Sequence, residues 1–167
     1  MAEMRIQNLV LGMVATNCYS LLNIDTKEMI LVDPADEFET IEENVNAMVG
    51  RPVAVLLTHG HYDHMLAADS VRRTYQVPVY VHELDEAVLE DASMNLSGFW
   101  RSSFTMKADR LLKDGDELRL AGFEIRVLHT PGHTVGSACY YFPEQKVLMS
   151  GDTMFFHSYG RTDFSIS

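Results

Sequence analysis

The chain has 167 residues, 47% hydrophobic and 10% aromatic, enough for one domain with a sizeable core and too few for two ordinary ones. No apolar stretch approaches the roughly 20 residues of a membrane span, and the first residues lack a basic leader, a clean apolar segment and a small-residue cleavage site, so a cytoplasmic location is the expectation. The formal charge of −11 repels phosphate backbones and argues against nucleic acid as a substrate, while Cys18 and Cys139 are too few for a disulfide framework and too isolated for a thiolate metal site.

In chain order, MRIQNLVL, CYSLLNI and MILVDP are short β-rich runs parted by turn residues, which predicts a meander of three strands with Asp33-Pro34 ending the third. From Asp36 to Val49, Phe38, Ile41, Val45, Met48 and Val49 recur at the three- and four-residue steps of an amphipathic helix. PVAVLLT follows as a strand too apolar for one wet face, and MLAADSVRRTYQ has helical spacing, so the residues between them occupy a strand-to-helix turn. VPVYVH predicts a buried strand, ELDEAVLEDA a short helix, and Ser93 to Met106 an irregular aromatic loop. LLKDGDELRLAGFEIRVLHTPG reads as strand, turn and strand around Ala121-Gly122, followed by SACYYF, a PEQK turn and VLMSGD. Strands at both ends flanking β/α units imply two sheets with helices outside.

The turn after PVAVLLT contains THGHYDH, Thr58 to His64, three of the seven histidines and an aspartate within six residues. Imidazole is seldom bunched this way without a ligand to share. Alternation along extended backbone would point His59 and His61 the same way, as two ligands of one ion require, with Gly60 letting the backbone bend closely. Asp63 and His64 would begin the following helix, where its positive end favours a carboxylate and both side chains could face a second ion. Imidazole and carboxylate ligands suit zinc, iron or manganese better than calcium, and ligand type alone does not choose among the three.

THGHYDH resembles the T-H-x-H-x-D-H signature of the metallo-β-lactamase-fold hydrolases, and TPGHTVGS (Thr130 to Ser137) and SGDTMF (Ser150 to Phe155) agree with that family in order and spacing. NCY (Asn17 to Tyr19), ILVDP (Ile30 to Pro34) and GRTD (Gly160 to Asp163) point to its glyoxalase II-like, hydroxyacylglutathione hydrolase-like branch, and the likeness spans essentially the whole chain. The resemblance implies an α/β fold, the four-layer αββα sandwich, over a single domain of residues 1–167, with the site at the common edge of two sheets. It also implies that His59, His61 and His133 hold a first metal, that Asp63 and His64 face a second, and that Asp152 bridges them. Read without the family, His133 in a Pro-Gly-His turn could cap the next segment and Asp152 could be a turn residue. His82, His129 and His157 match no family role and read as packing or solvent-exposed residues, and the aromatic loop from Ser93 to Met106 is only a candidate lid.

Relatives in the family continue past GRTD by a few dozen residues, including a Gly-His-Gly turn with the second metal's last histidine, whereas this sequence stops at FSIS. The sandwich is therefore expected to lack its final strand and helix, leaving a sheet edge for a homo-oligomer to cover and the second site one protein ligand short. A metal-bound water has a pKa near 7 rather than 15.7, which gives a hydroxide nucleophile without serine or cysteine. A thioester suits such a site because a thiol of pKa about 8.5 leaves without protonation, and no dedicated acid stands in the motifs. The sequence thus predicts a zinc hydrolase of small thioesters such as hydroxyacylglutathione, with one or two ions, and Asp63 orienting the hydroxide. The alternatives are a truncated, non-catalytic metal-binding scaffold, or a mononuclear iron persulfide dioxygenase using His59, His133 and Asp152.

Overall fold

The computed structural model describes residues 2–99 and 102–164. Strands β1 (Met4–Leu11), β2 (Thr16–Asn23) and β3 (Glu28–Val32) form the antiparallel meander that the sequence predicts. The first sheet continues in parallel through β4 (Arg51–Leu56), β5 (Val79–His82) and β6 (Arg110–Leu112), in spatial order β1-β2-β3-β4-β5-β6. Helices α1 (Phe38–Ala47), α2 (Ala68–Tyr75) and α3 (Glu86–Glu90) lie in the connections that such parallel crossovers require. The second sheet is antiparallel, in the order β10-β9-β8-β7, from β7 (Glu117–Leu120), β8 (Phe123–His129), β9 (Ala138–Phe142) and β10 (Val147–Met149).

Period-2 alternation divides the apolar residues between two layers. Met29, Leu31 and Val55 join Ile41, Val45 and Val71 under the helices, whereas Ile30, Val32 and Leu56 meet Phe123, Ile125, Val127 and Tyr140 of the second sheet. The central strands are thus buried on both faces, which is why they read as continuous apolar runs. Full burial of Ile30 and Leu31 contributes about 1.5–3 kcal/mol each. The resulting α/β architecture has helices outside the first sheet, as expected, and among the described residues no helix covers the outer face of the second, where Leu128 and Leu148 are exposed. No helix among the described residues is long and apolar enough to cross a membrane.

Two local expectations are corrected. Leu111 and Leu112 pair with β5 in the first sheet, because a turn at Lys113–Asp116, with Gly115 at φ +79°, carries the chain across to the second; the hairpin begins only at Glu117. Its turn is at Ala121-Gly122, both at positive φ, the twist that two-residue hairpins favour. Asp63 and His64 belong to a single 3₁₀ turn, Tyr62–His64, and α2 starts only at Ala68, so neither side chain sits on that helix's positive end.

Candidate metal centre

Strands β3, β4, β5, β8 and β10 end at one rim of the two sheets, and the residues just beyond them converge. Asp33 follows β3, Thr58 to His64 follow β4, Asp85 follows β5, His133 follows β8 and Asp152 follows β10. The outside of the carboxyl ends of strands is where open α/β sheets place ligands.

The rings of His59, His61 and His133 stand with centroids 4.7–4.8 Å apart, and all three residues are buried. One ring nitrogen from each lies within 4.8 Å of the other two, an arrangement able to hold a metal ion. His59, His64 and Asp152 form a second such group. The Asp152 carboxylate spans both groups, with Oδ1 3.2 Å from His64 Nε2 and Oδ2 3.3 Å from His133 Nε2. Asp63 enters neither group; its Oδ2 accepts a hydrogen bond from the Thr16 hydroxyl at 3.0 Å and lies 3.5 Å from His64 Nε2.

The hydrogen bonds behind the rings determine which lone pairs face the centre. Thr58 donates its one hydroxyl proton to Asp33 Oδ2 at 2.7 Å, so at 3.1 Å it accepts from His59 Nδ1–H. His59 Nε2 is then an unprotonated, buried lone pair, and it has no hydrogen-bond partner. His133 Nδ1 donates to the Arg161 carbonyl at 2.9 Å, which leaves its Nε2 unprotonated, 3.0 Å from His61 Nδ1. His61 Nε2 also has no partner. Buried polar atoms are nearly always satisfied, and a cation is the group that would satisfy converging lone pairs. The donor set therefore fits a transition metal, with outer partners fixing ring tautomers as metal-ligating histidines usually require.

For the first group the electrostatics agree. Burial, with the neighbouring rings of His64, His61 and His133, holds His59 well below the usual imidazole range, and burial beside His133 and His64 lowers His61 to about 3. Both shifts favour the neutral ring, the form that ligates. His64 is the opposite case: burial works against its charged form, but the carboxylates of Asp33, Asp152 and Asp63 outweigh it and push the ring well above the imidazole range. Asp152 is likewise lowered, burial being outweighed by its hydrogen bond to His64 and the charges of His64, His133 and His61.

All six residues singled out in the sequence, His59, His61, Asp63, His64, His133 and Asp152, thus lie at this rim, Asp63 at its side. Three supporting residues were missed. Asp33, 3% exposed, accepts from the Thr58 amide at 2.8 Å and hydroxyl at 2.7 Å and from His64 Nδ1 at 2.9 Å. Thr16 anchors Asp63, and Asp85, fully buried, accepts from Gly60, Thr134 and Gly136. An aspartate ending the apolar run ILVDP was a visible signal for Asp33; Asp85, in an acidic stretch, carried none. His82 and His129 lie outside the centre as a stacked pair with ring centroids 4.2 Å apart, and His157 is exposed. Beside the rings opens a cleft of about 910 Å³ with Val14, Phe99, Phe155 and Phe164 on its walls. Phe99 brings the aromatic loop to this cleft, whereas Trp100 and Arg101 of that loop lie outside the described residues.

Comparison with known proteins agrees with this geometry. The family model of the metallo-beta-lactamase superfamily matches residues 11–166. The crystal structure of BLEG-1, a B3 metallo-beta-lactamase, superposes with a TM-score of 0.89 at 40% identity, over 95% of this chain and 77% of that one. TTHA1623, in a di-iron-bound form, superposes with a TM-score of 0.81 at 32% identity, over 96% and 79%. The hydroxyacylglutathione hydrolase GloC of Haemophilus influenzae is 33% identical over 151 residues, 89% of this chain and 71% of its own length.

Proposed function

The chain belongs to the metallo-beta-lactamase superfamily, and from that premise we propose that it is a cytoplasmic zinc-dependent hydrolase of small thioesters of the hydroxyacylglutathione kind. His59, His61 and His133 would hold the first ion; His64 and Asp152, with Asp63 beside them, would hold the second, Asp152 being shared. The observation that carries this reading is the buried, partnerless Nε2 of His59 in the same cluster as the unprotonated His133 Nε2, which lies 3.0 Å from His61 Nδ1.

When bound, the metal supplies water acidified to near neutral pH and polarises the carbonyl under attack. The remaining work falls to this chain's own residues. Asp63, anchored through Oδ2 by the Thr16 hydroxyl, would accept a hydrogen bond from the attacking water and orient it. Thr58 and Arg161 hold the His59 and His133 rings in their ligating tautomers through the Thr58 hydroxyl and the Arg161 carbonyl. The apolar walls of the cleft exclude water from an acyl group lying against them.

The preference for thioesters rests on the leaving group. Asp152 is held below the usual carboxylate range and so is no proton donor at neutral pH. A thiolate leaves without one, because a thiol has a pKa of about 8.5, whereas an amide nitrogen demands an acid. The likeness to GloC points the same way, while the likeness to BLEG-1 makes a β-lactam the competing substrate and the likeness to TTHA1623 makes iron the competing metal. The test is turnover of S-lactoylglutathione and of a cephalosporin by the zinc-loaded protein, with and without His59→Ala. Thioester turnover that disappears in His59→Ala supports the reading. Cephalosporin turnover alone, or iron retention with oxygen uptake on glutathione persulfide, overturns it.

A further inference from the structure

His61 and His133 must be placed by something other than their own loops. His61 follows β4 of the first sheet and His133 follows β8 of the second, yet their ring nitrogens meet at 3.0 Å. Useful ligand geometry tolerates errors of only about 0.5 Å, so the two loops need a common anchor. A backbone bond from the Ala138 amide to the Thr58 carbonyl, at 2.9 Å, ties them behind the site. Nearer the ligands the tie is a side chain.

Asp85 comes from neither loop. It lies just after β5, before α3, with no exposed surface. Its Oδ2 accepts from the Gly60 amide at 2.7 Å and from the Thr134 hydroxyl at 2.8 Å, and its Oδ1 accepts from the Gly136 amide at 2.7 Å. Gly60 lies between His59 and His61, and Thr134 directly follows His133. One carboxylate therefore joins the peptide between two candidate ligands to the residue beside the third. The chemistry requires a carboxylate: the three facing groups are all donors, which an acceptor-only side chain satisfies and an amide does not. The fit leaves no slack, since a Cβ on Gly136 would stand 2.4 Å from the Asp85 nitrogen, and one on Gly60 would stand 3.0 Å from Val88 Cβ.

Resting on the reading that His59, His61 and His133 hold the first metal, we propose that Asp85 is the positioning residue of that site, fixing the spacing of its two ligand loops without touching the ion. Outer partners of this kind typically change metal affinity 10–100-fold when removed. The experiment measures the zinc Kd of purified, metal-stripped protein by competition with a chromogenic chelator, well below each variant's melting temperature. The variants are Asp85→Asn, which keeps the shape and turns an NH₂ against one donor, and Thr134→Val, which removes the side-chain donor and leaves both backbone donors in place. Ile125→Val, in the core between the sheets, controls for loss of stability alone.

Asp85→Asn is expected to weaken zinc binding about 10–100-fold, with a smaller loss in the same direction for Thr134→Val and none for Ile125→Val. A folded Asp85→Asn protein with the parental Kd overturns the proposal. If Asp85→Asn does not fold, Thr134→Val decides by the same criterion. Absence of zinc binding in the parent chain strikes instead at the metal-site reading itself.

Discussion

Replacing Asp33 by Asn tests how far the centre depends on the carboxylate beneath it. Asp33 sits at φ +49°, a left-handed conformation that Asn adopts as readily as Asp, so the substitution removes charge without adding backbone strain. At present Oδ2 accepts from the Thr58 hydroxyl and His64, and Oδ1 from the Thr58 amide. If the new carbonyl takes the Oδ2 position, the NH₂ group opposes the buried Thr58 amide, and leaving that donor unpaired costs about 1–3 kcal/mol. Weakening the bonds to His64 and the Thr58 hydroxyl, no longer charge-assisted, adds about 1 kcal/mol. A total of roughly 2–4 kcal/mol, at about 2–4 °C per kcal/mol for a chain of this size, lowers the melting temperature of the metal-free protein by about 4–16 °C. Because Asp33 orients His64 and, through Thr58, the His59 tautomer, zinc affinity should fall about 10–100-fold as well. Scanning calorimetry and chelator competition measure the two effects. A melting temperature within about 1 °C of the parent, together with parental zinc affinity, refutes the role assigned to Asp33.

His59→Ala should lose tight zinc binding and lower kcat/KM by about 10²–10³-fold, the scale of losing a principal electrostatic stabiliser, as read by metal analysis and steady-state kinetics. Gly160→Ala should weaken zinc and destabilise the fold by about 1–3 kcal/mol, because its Cβ would stand 1.9 Å from the Asp152 carbonyl oxygen and 3.1 Å from His133 Nδ1; denaturant unfolding and chelator competition check this. Cys18 is fully buried and its thiol is pushed up to about 12, chiefly by burial with the Asp33 charge adding to it. A maleimide at pH 8 should therefore leave Cys18 unmodified in the native protein and label it once the protein is unfolded, as read by peptide mass spectrometry.

The candidate ligands of the first turn were legible because their chemistry is local. His59, His61, Asp63 and His64 stand in one turn after an apolar strand, whereas His133 and Asp152, each beyond a later strand, stood out only through the resemblance of TPGHTVGS and SGDTMF to the family's motifs. The apolar runs likewise reveal β3 and β4, whose two buried faces remove the usual alternation. What was hidden depends on tertiary partners. Asp85 looks like any residue of the acidic run ELDEAVLED, and only the approach of Gly60, Thr134 and Gly136 makes it a buried acceptor. Leu111-Leu112 reads as part of the next hairpin because sheet membership is decided by pairing with β5, which no local pattern encodes. Asp63 and His64 precede a helical pattern, yet an intervening stretch from Met65 to Ala67 separates them from α2.

The central claim is that His59, His61 and His133 share one ion. Anomalous diffraction from crystals grown with zinc, recorded on both sides of the zinc absorption edge, addresses it directly. A peak within bonding distance of a ring nitrogen of each of the three histidines is expected. A peak elsewhere, or none while these rings keep their mutual contacts, would contradict that claim.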